Sequence, residues 1–389
     1  MWYFRSPRVF AFGEGALDYL KEIEGHRAFV VTDSTIVKLG FLDLVMEKLK
    51  ESGKEIAYFD GVTPEPPEDV VYESLQLAQN FNPDLIIGLG GGSVLDVAKV
   101  TQVLFEHPDL PMLEIMPLTP ITIKKTTLIA IPTTSGTGSD ATASAVITNS
   151  KENYKMELNH PVLIPYVSIL DPVLTKSLPP KVIASSGMDA LAQAIDGYTV
   201  QWRNDFSNGL AIHSTRMIFE YLPRVYENPE NSEAREKLHN AATLSGLAWS
   251  NSFLGITHSF GHAMGAVFKI PHGITVGIVL PYSIEYAMKT HSNLYGELAR
   301  AVGAADSSDD DKTATIKLRD KVVKIMKEME VPRSLKEYGI SKEKFDKNFD
   351  DLVRLTSESA VNIFNCREPT TEDMERFWHY MYEGKAIDF

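Results

Sequence analysis

The sequence predicts an α/β protein in two parts: an N-terminal unit on a doubly wound parallel sheet, residues 1–178, and an all-helical C-terminal unit, residues 179–389. Three observations predict it. Short apolar runs alternate with helix-period segments in the first part, the signature of strand–helix–strand units. One such run, Leu85 to Leu89, ends in three consecutive glycines, Gly90, Gly91 and Gly92, before a helical pattern begins. After Pro179 strand-like runs become rare and long helical stretches take over.

Taken in order, Val9 to Phe12 reads as a strand, with a turn at Gly13-Glu-Gly15. Ala28 to Thr32 is a strand with Asp33 at its end, and Phe41 to Lys50 a helix stopped by Gly53. Glu55 to Phe59 is a strand, Pro64 to Pro67 a loop and Val70 to Ala78 a helix. Ser93 follows the glycines and is expected to cap the next helix. Thr127 to Ile131 is a strand closed by Pro132. Helices are expected over Val182–Tyr198, Ser207–Tyr221, Ser232–Ser250, Thr257–Val267, Thr275–Met288, Thr313–Met329, Lys342–Thr356 and Thr371–Tyr382. Thr370 with Asp373 reads as a capping box for the last. Ala305 to Asp311 reads as a solvated acidic loop.

Composition narrows the partners. The chain of 389 residues is 44% hydrophobic and 23% charged, a globular profile. A net charge of −14 argues against a nucleic-acid partner. The single cysteine, Cys366, allows no disulfide within the chain and fits a reducing compartment. The start, Met1 to Pro7, lacks the basic stretch and apolar core of a secretory signal. No apolar run reaches the ~18 residues of a membrane span. A cytoplasmic protein without a membrane partner is expected.

Two constellations carry chemistry. A strand, a side-chain-free turn and a helix N-terminus form an anion site, because backbone N–H groups and the helix dipole face the same point. Asp33, Gly90 to Ser93 and the stretch Pro132 to Ser139 all fall beyond strand C-termini, where doubly wound sheets bind ligands. The spacing departs from the usual dinucleotide fingerprint, since Ser93 stands where its last glycine belongs. In the helical part, Asp189 and Gln193 are four apart and share a helix face, as do His258 and His262. His272 lies in Pro271-His-Gly273, read as a turn. Carboxylate and imidazole suit Fe²⁺ or Zn²⁺, and hydrogen-bonded core histidines are the alternative.

These residues carry a resemblance. Gly90 to Asp96, Ile131 to Ser139, Leu178-Pro-Pro180, Gly187 to Leu191, the His258/His262 pair and Pro271 to Gly273 stand in the order and separations of the iron-containing (group III) alcohol dehydrogenases, which include lactaldehyde reductase and butanol dehydrogenases. The resemblance spans almost the whole length. It implies a Rossmann-like first domain, a helical second domain of dehydroquinate synthase-like architecture, and an active site in the cleft between them. It implies NAD(P)-dependent interconversion of primary alcohols and aldehydes, with a small-molecule substrate and a homodimer. By position, Gly91, Gly92, Ser93 and Asp96 would surround the pyrophosphate, with Gly90 in the same turn. Thr133, Thr134 and Thr137 would line the cofactor, Val146 and Lys155 would lie near the nicotinamide ribose, and Leu178 near the adenine. Asp33, able to repel a 2′-phosphate, favours NAD over NADP.

The family's metal ligands are one aspartate and three histidines. Asp189, His258 and His272 match three of them, and Gln193 stands at the fourth. His262 matches a histidine near the substrate and would relay the proton. Three outcomes stay open: a metal held by Asp189, His258, His272 and the Gln193 oxygen or water, His262 as a substitute ligand, or a site without metal. The last gives the alternative reading, a non-catalytic or metal-independent NAD(P)-binding relative. A dehydroquinate synthase-like lyase is disfavoured, since no basic cluster surrounds Asp189 or His258. Trp249, Phe253 and Phe268 are weak candidates for apolar pocket walls.

Overall fold

The computed structural model describes residues 3–150 and 154–389. Met1 and Trp2, part of the stretch tested for a secretory signal, lie outside them. The chain divides into two compact units, residues 1–178 and 179–389.

Among the described residues the first unit has eight strands: β1 (Val9–Phe12), β2 (Arg27–Val31), β3 (Glu55–Phe59), β4 (Leu85–Gly90), β5 (Thr127–Pro132), β6 (Ser144–Asn149), β7 (Tyr154–Asn159) and β8 (Val167–Leu170). Six form a parallel sheet in the order β1-β8-β5-β4-β2-β3. Its helices are α1 (Ser34–Lys38), α2 (Phe41–Glu51), α3 (Glu68–Phe81) and α4 (Gly92–Glu106). Strand side chains alternate between faces. Phe29, Val31, Ile86 and Leu128 join one apolar cluster with Val71, Leu75 and Val97 of α3 and α4. Ala28, Val30, Leu85, Ile87 and Ile129 join a second with Leu42, Val45 and Leu49 of α2. Continuous apolar runs are therefore what a sheet covered on both faces demands.

Several expectations shift. Ser93 is not the cap: α4 begins at Gly92 with Gly91 as N-cap, because the extended Gly91 backbone (φ −75°, ψ −176°) lets its carbonyl take the first helical bonds, from Val94 and Leu95 N–H. Pro132 belongs to β5 and pairs with Gly90. The β6–β7 antiparallel hairpin and β8 were not expected from the sequence, although Ala145, Ile147, Met156 and Leu158 show the inward alternation of half-buried strands.

The hairpin is tied to α4 by buried charge. Lys99 Nζ donates to Thr142 O (3.0 Å), Thr142 Oγ1 (3.1 Å) and Ser144 O (2.8 Å). Asp96 Oδ1 accepts from Ser139 Oγ (2.7 Å) and Oδ2 from Val146 N–H (3.0 Å).

The second unit is helical: α5 (Pro180–Thr199), α6 (Asp205–Glu227), α7 (Ser232–Ser250), α8 (Ile256–Phe268), α9 (His272–Ala301), α10 (Asp311–Glu328), α11 (Leu335–Tyr338), α12 (Lys342–Lys347), α13 (Phe349–Ser357) and α14 (Thr371–Glu383). α5 packs on α6, α7, α8 and α9, and every residue from Gly187 to Thr199 is buried. Three helix readings change. α9 starts at His272, so that histidine opens a helix rather than sitting in a turn, and it runs on to Ala301 across a kink at His291. The stretch Lys342–Thr356 is two helices meeting at Asn348, whose ψ of 11° breaks the helical path. The capping box of α14 forms as read, and none of the described helices is long and apolar enough to cross a membrane.

Burial pushes the Lys99 ammonium down to about 8, against the upward pull of Asp96 and Asp140. Below that pH both folded and unfolded chains hold the proton and the burial cost is constant. Between about 8 and the ordinary 10.5 the unfolded chain binds more protons, so this residue's contribution to stability rises with pH. Lys99→Met leaves Asp96 and the buried Asp140 without their cation and is expected to cost about 3 kcal/mol at neutral pH. Urea melts from pH 7 to 10.5 should show the upward slope in the wild type and its loss in the variant.

Candidate functional site

The glycine turn is built as a cradle. A Cβ on Gly92 would lie 2.7 Å from Thr137 Cγ2, and one on Gly90 2.6 Å from Val94 Cγ2, so a side chain at either displaces a neighbour. A Cβ on Gly91 would rest 3.6 Å from Thr134 Cγ2. Thr133 N–H donates to Gly90 O at 3.0 Å. The structure thus brings Gly90, Gly91, Gly92, Thr133, Thr134 and Thr137 together, with Ser93 in the first turn of α4.

Other expected cofactor residues are engaged within the protein. Asp33 caps α1, its Oδ1 accepting from Thr35 N–H (2.7 Å) and Ile36 N–H (3.1 Å). Both Asp96 oxygens are taken by Ser139 and Val146, and burial raises its pKa. It straps α4 to the hairpin. Lys155 Nζ pairs with Glu65 Oε1 at 2.8 Å. Leu178 closes the unit, its N–H donating to Thr175 O at 3.4 Å.

In the helical unit three ligand atoms converge. One atom each from Asp189, His258 and His272 lies within 4.8 Å of the other two. Asp189 Oδ1 is 3.4 Å from His272 Nε2 and 3.8 Å from His258 Nε2. Donors about 2.1 Å from one ion at tetrahedral angles stand about 3.4 Å apart, so the spacing fits a metal. Asp189 Oδ1 and His258 Nε2 are buried and have no hydrogen-bond partner. Buried polar atoms in that state are costly, and a cation among them would satisfy all three.

Close helix packing makes the convergence possible. A Cβ on Gly273 would fall 1.8 Å from Ser185 O, so only glycine lets the start of α9, with His272, lie against α5. The three groups perturb one another's titration. Burial alone would raise the Asp189 carboxyl, but the charges of His272 and His258 outweigh it and hold it well below the usual range. Burial disfavours a charged His258, yet Asp189 and Asp196 raise it to about 9. Burial keeps His272 below its ordinary value. Proton and metal would therefore compete for the same nitrogens.

His262 sits beside this cluster. The His262 ring centroid is 5.1 Å from that of His272 and 6.1 Å from that of His258. Gln193 is buried one turn beyond Asp189, its Oε1 accepting from Ser245 Oγ at 3.2 Å. Phe253 stacks on Phe364 at 4.1 Å, with Trp202 edge-on, while Phe268 is part of the apolar core and not a pocket wall. Sequence reading missed Asp196, whose Oδ2 is 2.8 Å from His258 Nδ1. Its place two turns beyond Asp189 on one helix face was a usable signal.

Comparison with known proteins agrees with this arrangement. The family model for iron-containing alcohol dehydrogenase matches residues 7–172, and the C-terminal model of the same family matches 183–382. The chain is 37% identical to an NADPH-dependent butanol dehydrogenase of Clostridium saccharobutylicum over 396 residues, all of both chains. It also spans 46% of a longer aldehyde-alcohol dehydrogenase of Entamoeba histolytica at 35% identity. Among solved structures, an alcohol dehydrogenase from Oenococcus oeni superposes with a TM-score of 0.93 at 28% identity, covering 98% of this chain and 100% of that one. A sulfoacetaldehyde reductase from Bifidobacterium kashiwanohense, in complex with NAD⁺, gives 0.87 at 27% identity, covering 98% of each. The Rossmann-like sheet, the helical second unit and these matches over nearly the whole length agree: the chain belongs to the iron-containing alcohol dehydrogenase family.

Proposed function

We propose that the protein is an NAD(P)-dependent alcohol dehydrogenase that interconverts primary alcohols and aldehydes with a divalent ion, Fe²⁺ or Zn²⁺, held by Asp189, His258 and His272. The convergence of three ligand atoms, two of them buried without partners, carries this reading. In this reading residues 1–178 bind the dinucleotide and 179–389 the ion and the substrate oxygen, in a cytoplasmic homodimer.

When bound, the nicotinamide supplies hydride transfer and the ion polarises the substrate oxygen. The chain's own residues do the rest. Gly91, Gly92 and the N-terminus of α4 offer backbone N–H groups to the pyrophosphate, and Thr134 and Thr137 flank it. His262, beside His272, moves the substrate proton between the oxygen and solvent. Asp33 disfavours a 2′-phosphate, which supports NAD, as in the NAD⁺ complex of the sulfoacetaldehyde reductase. The NADPH-dependent butanol dehydrogenase speaks for NADP, and Asp33, already committed to capping α1, leaves both within the reading.

Gln193 joins the ligand set through its amide oxygen. Ser245 Oγ has one hydrogen and two acceptors before it, Ala242 O at 2.8 Å and Gln193 Oε1 at 3.2 Å. The bond from Ser245 uses one of the two lone pairs of Gln193 Oε1 and leaves the other for the ion. A metal-independent relative lacks any such support from an observation here.

His272→Ala is expected to lower kcat about 10³-fold and to abolish tight metal uptake, with the dinucleotide Kd little changed. Turnover with short aldehydes, elemental analysis and nucleotide fluorescence check it, and unaltered activity would sink the metal reading. Gln193→His is expected to tighten metal binding at least about tenfold, measured by chelator competition. No gain would place Gln193 outside the ligand set.

A further inference from the structure

A second buried carboxylate in the helical unit, beside Asp189, has no task in the reading above. Asp196 lies on α5, seven residues and two turns beyond Asp189, and is 2% exposed. Three donors surround it. Its Oδ2 accepts from Gly255 N–H at 3.0 Å and faces His258 Nδ1 at 2.8 Å. Its Oδ1 accepts from Thr257 Oγ1 at 2.7 Å, and Ser283 Oγ lies 2.9 Å beyond Thr257 Oγ1. Both oxygens are thus fixed by the backbone and side chain that open α8.

An ionised carboxylate only accepts hydrogen bonds, so the hydrogen between Asp196 and His258 resides on Nδ1. In the neutral ring that leaves the lone pair on Nε2. Nε2 is the buried atom without a partner, and it is the nitrogen that faces Asp189. The tautomer that Asp196 imposes is therefore the one a metal requires. A carboxylate behind an imidazole also makes it a stronger donor to the ion.

We propose that Asp196 is a positioning residue of the metal centre, which locks the His258 ring and its tautomer through Nδ1 and so presents Nε2 to the ion. This rests on the metal reading above. The competing account gives Asp196 a structural task alone. Gly255 is the N-cap of α8 and has no side chain to cap with, and Asp196 reaches across from α5 to accept its N–H. A negative charge at a helix N-terminus is stabilising by itself. A cap without a role at the metal predicts a lower melting temperature and unchanged affinity of the folded protein for an ion.

The experiment is Co²⁺ binding by the full-length chain, freed of metal, followed by the visible d–d bands and by chelator competition. Asp196→Asn keeps the shape, retains one acceptor and removes the charge. The Co²⁺ Kd is expected to rise about 10- to 100-fold, with altered d–d bands, as for other loss of a carboxylate behind a ligating histidine. Asp196→Glu, which restores the charge, should recover part of the affinity. A folded Asp196→Asn protein that binds Co²⁺ within about threefold of wild type, with the same spectrum, overturns the proposal and leaves the metal reading standing. A wild type that takes up no Co²⁺ overturns both. Should Asp196→Asn fail to fold, Thr257→Val decides. It removes one of the bonds that orient the carboxylate, so a loss of affinity beyond about threefold supports the proposal and an unchanged Kd overturns it.

Discussion

The helical unit depends on one constraint: the Asp189 carboxylate is buried at the centre of its packing and must be compensated. A charge sealed among helices is tolerated only beside opposite charge or a cation. Two imidazoles from different helices supply that, His258 from α8 and His272 from the first position of α9. The packing serves this meeting. Gly273 lets α9 begin against Ser185, and Gly187 lets α5 approach Leu222 of α6, where a Cβ would be 2.3 Å from a methyl carbon. The close approach of helices and the convergence of ligands are one fact seen at two scales.

The first unit solves a related problem with the opposite sign. Its glycine turn gathers backbone N–H groups at the end of β4 and the start of α4, which is a partial positive charge with no side chain of its own. The loop and hairpin beside it are held by a buried network of Asp96, Lys99 and Ser139. Lys99 bonds the carbonyl and hydroxyl oxygens of Thr142 and the carbonyl of Ser144, so the helix that follows the turn is anchored to the hairpin. A preorganised turn loses less conformational entropy when a ligand arrives.

Much of this was legible in the chain, for identifiable reasons. The strands β2, β4 and β5 are apolar runs ended by Asp33, glycines or Pro132, and a sheet covered on both faces leaves no other pattern. The pairs Asp189/Gln193 and His258/His262 each fall on one face because helical periodicity sets spacing of four. The hairpin was harder, because its alternation covers only six residues in each strand. The start of α4 was misjudged because capping preference favours Ser93, whereas a run of glycines allows the backbone to enter the helix earlier. The bond between Asp196 and His258 joins residues 62 apart in sequence, so the helix face that Asp196 shares with Asp189 marks it as a candidate without naming its partner.

The departure at Gln193 follows the same logic of buried charge. Histidine and glutamine are both neutral ligands, so the exchange leaves the charge at the site where the family has it. It changes the kind of donor. In the proposed site, with the Gln193 oxygen included, the set would be two oxygens and two nitrogens instead of one and three, which is harder in character and would give the ion less covalent donation. Asp189 would then carry more of the attraction, and the basicity of His258 would matter more than beside a third imidazole. A site weakened at one ligand leans on whatever strengthens the others, and in this chain the carboxylate placed to do so is Asp196, on the same helix as the residue that creates the need.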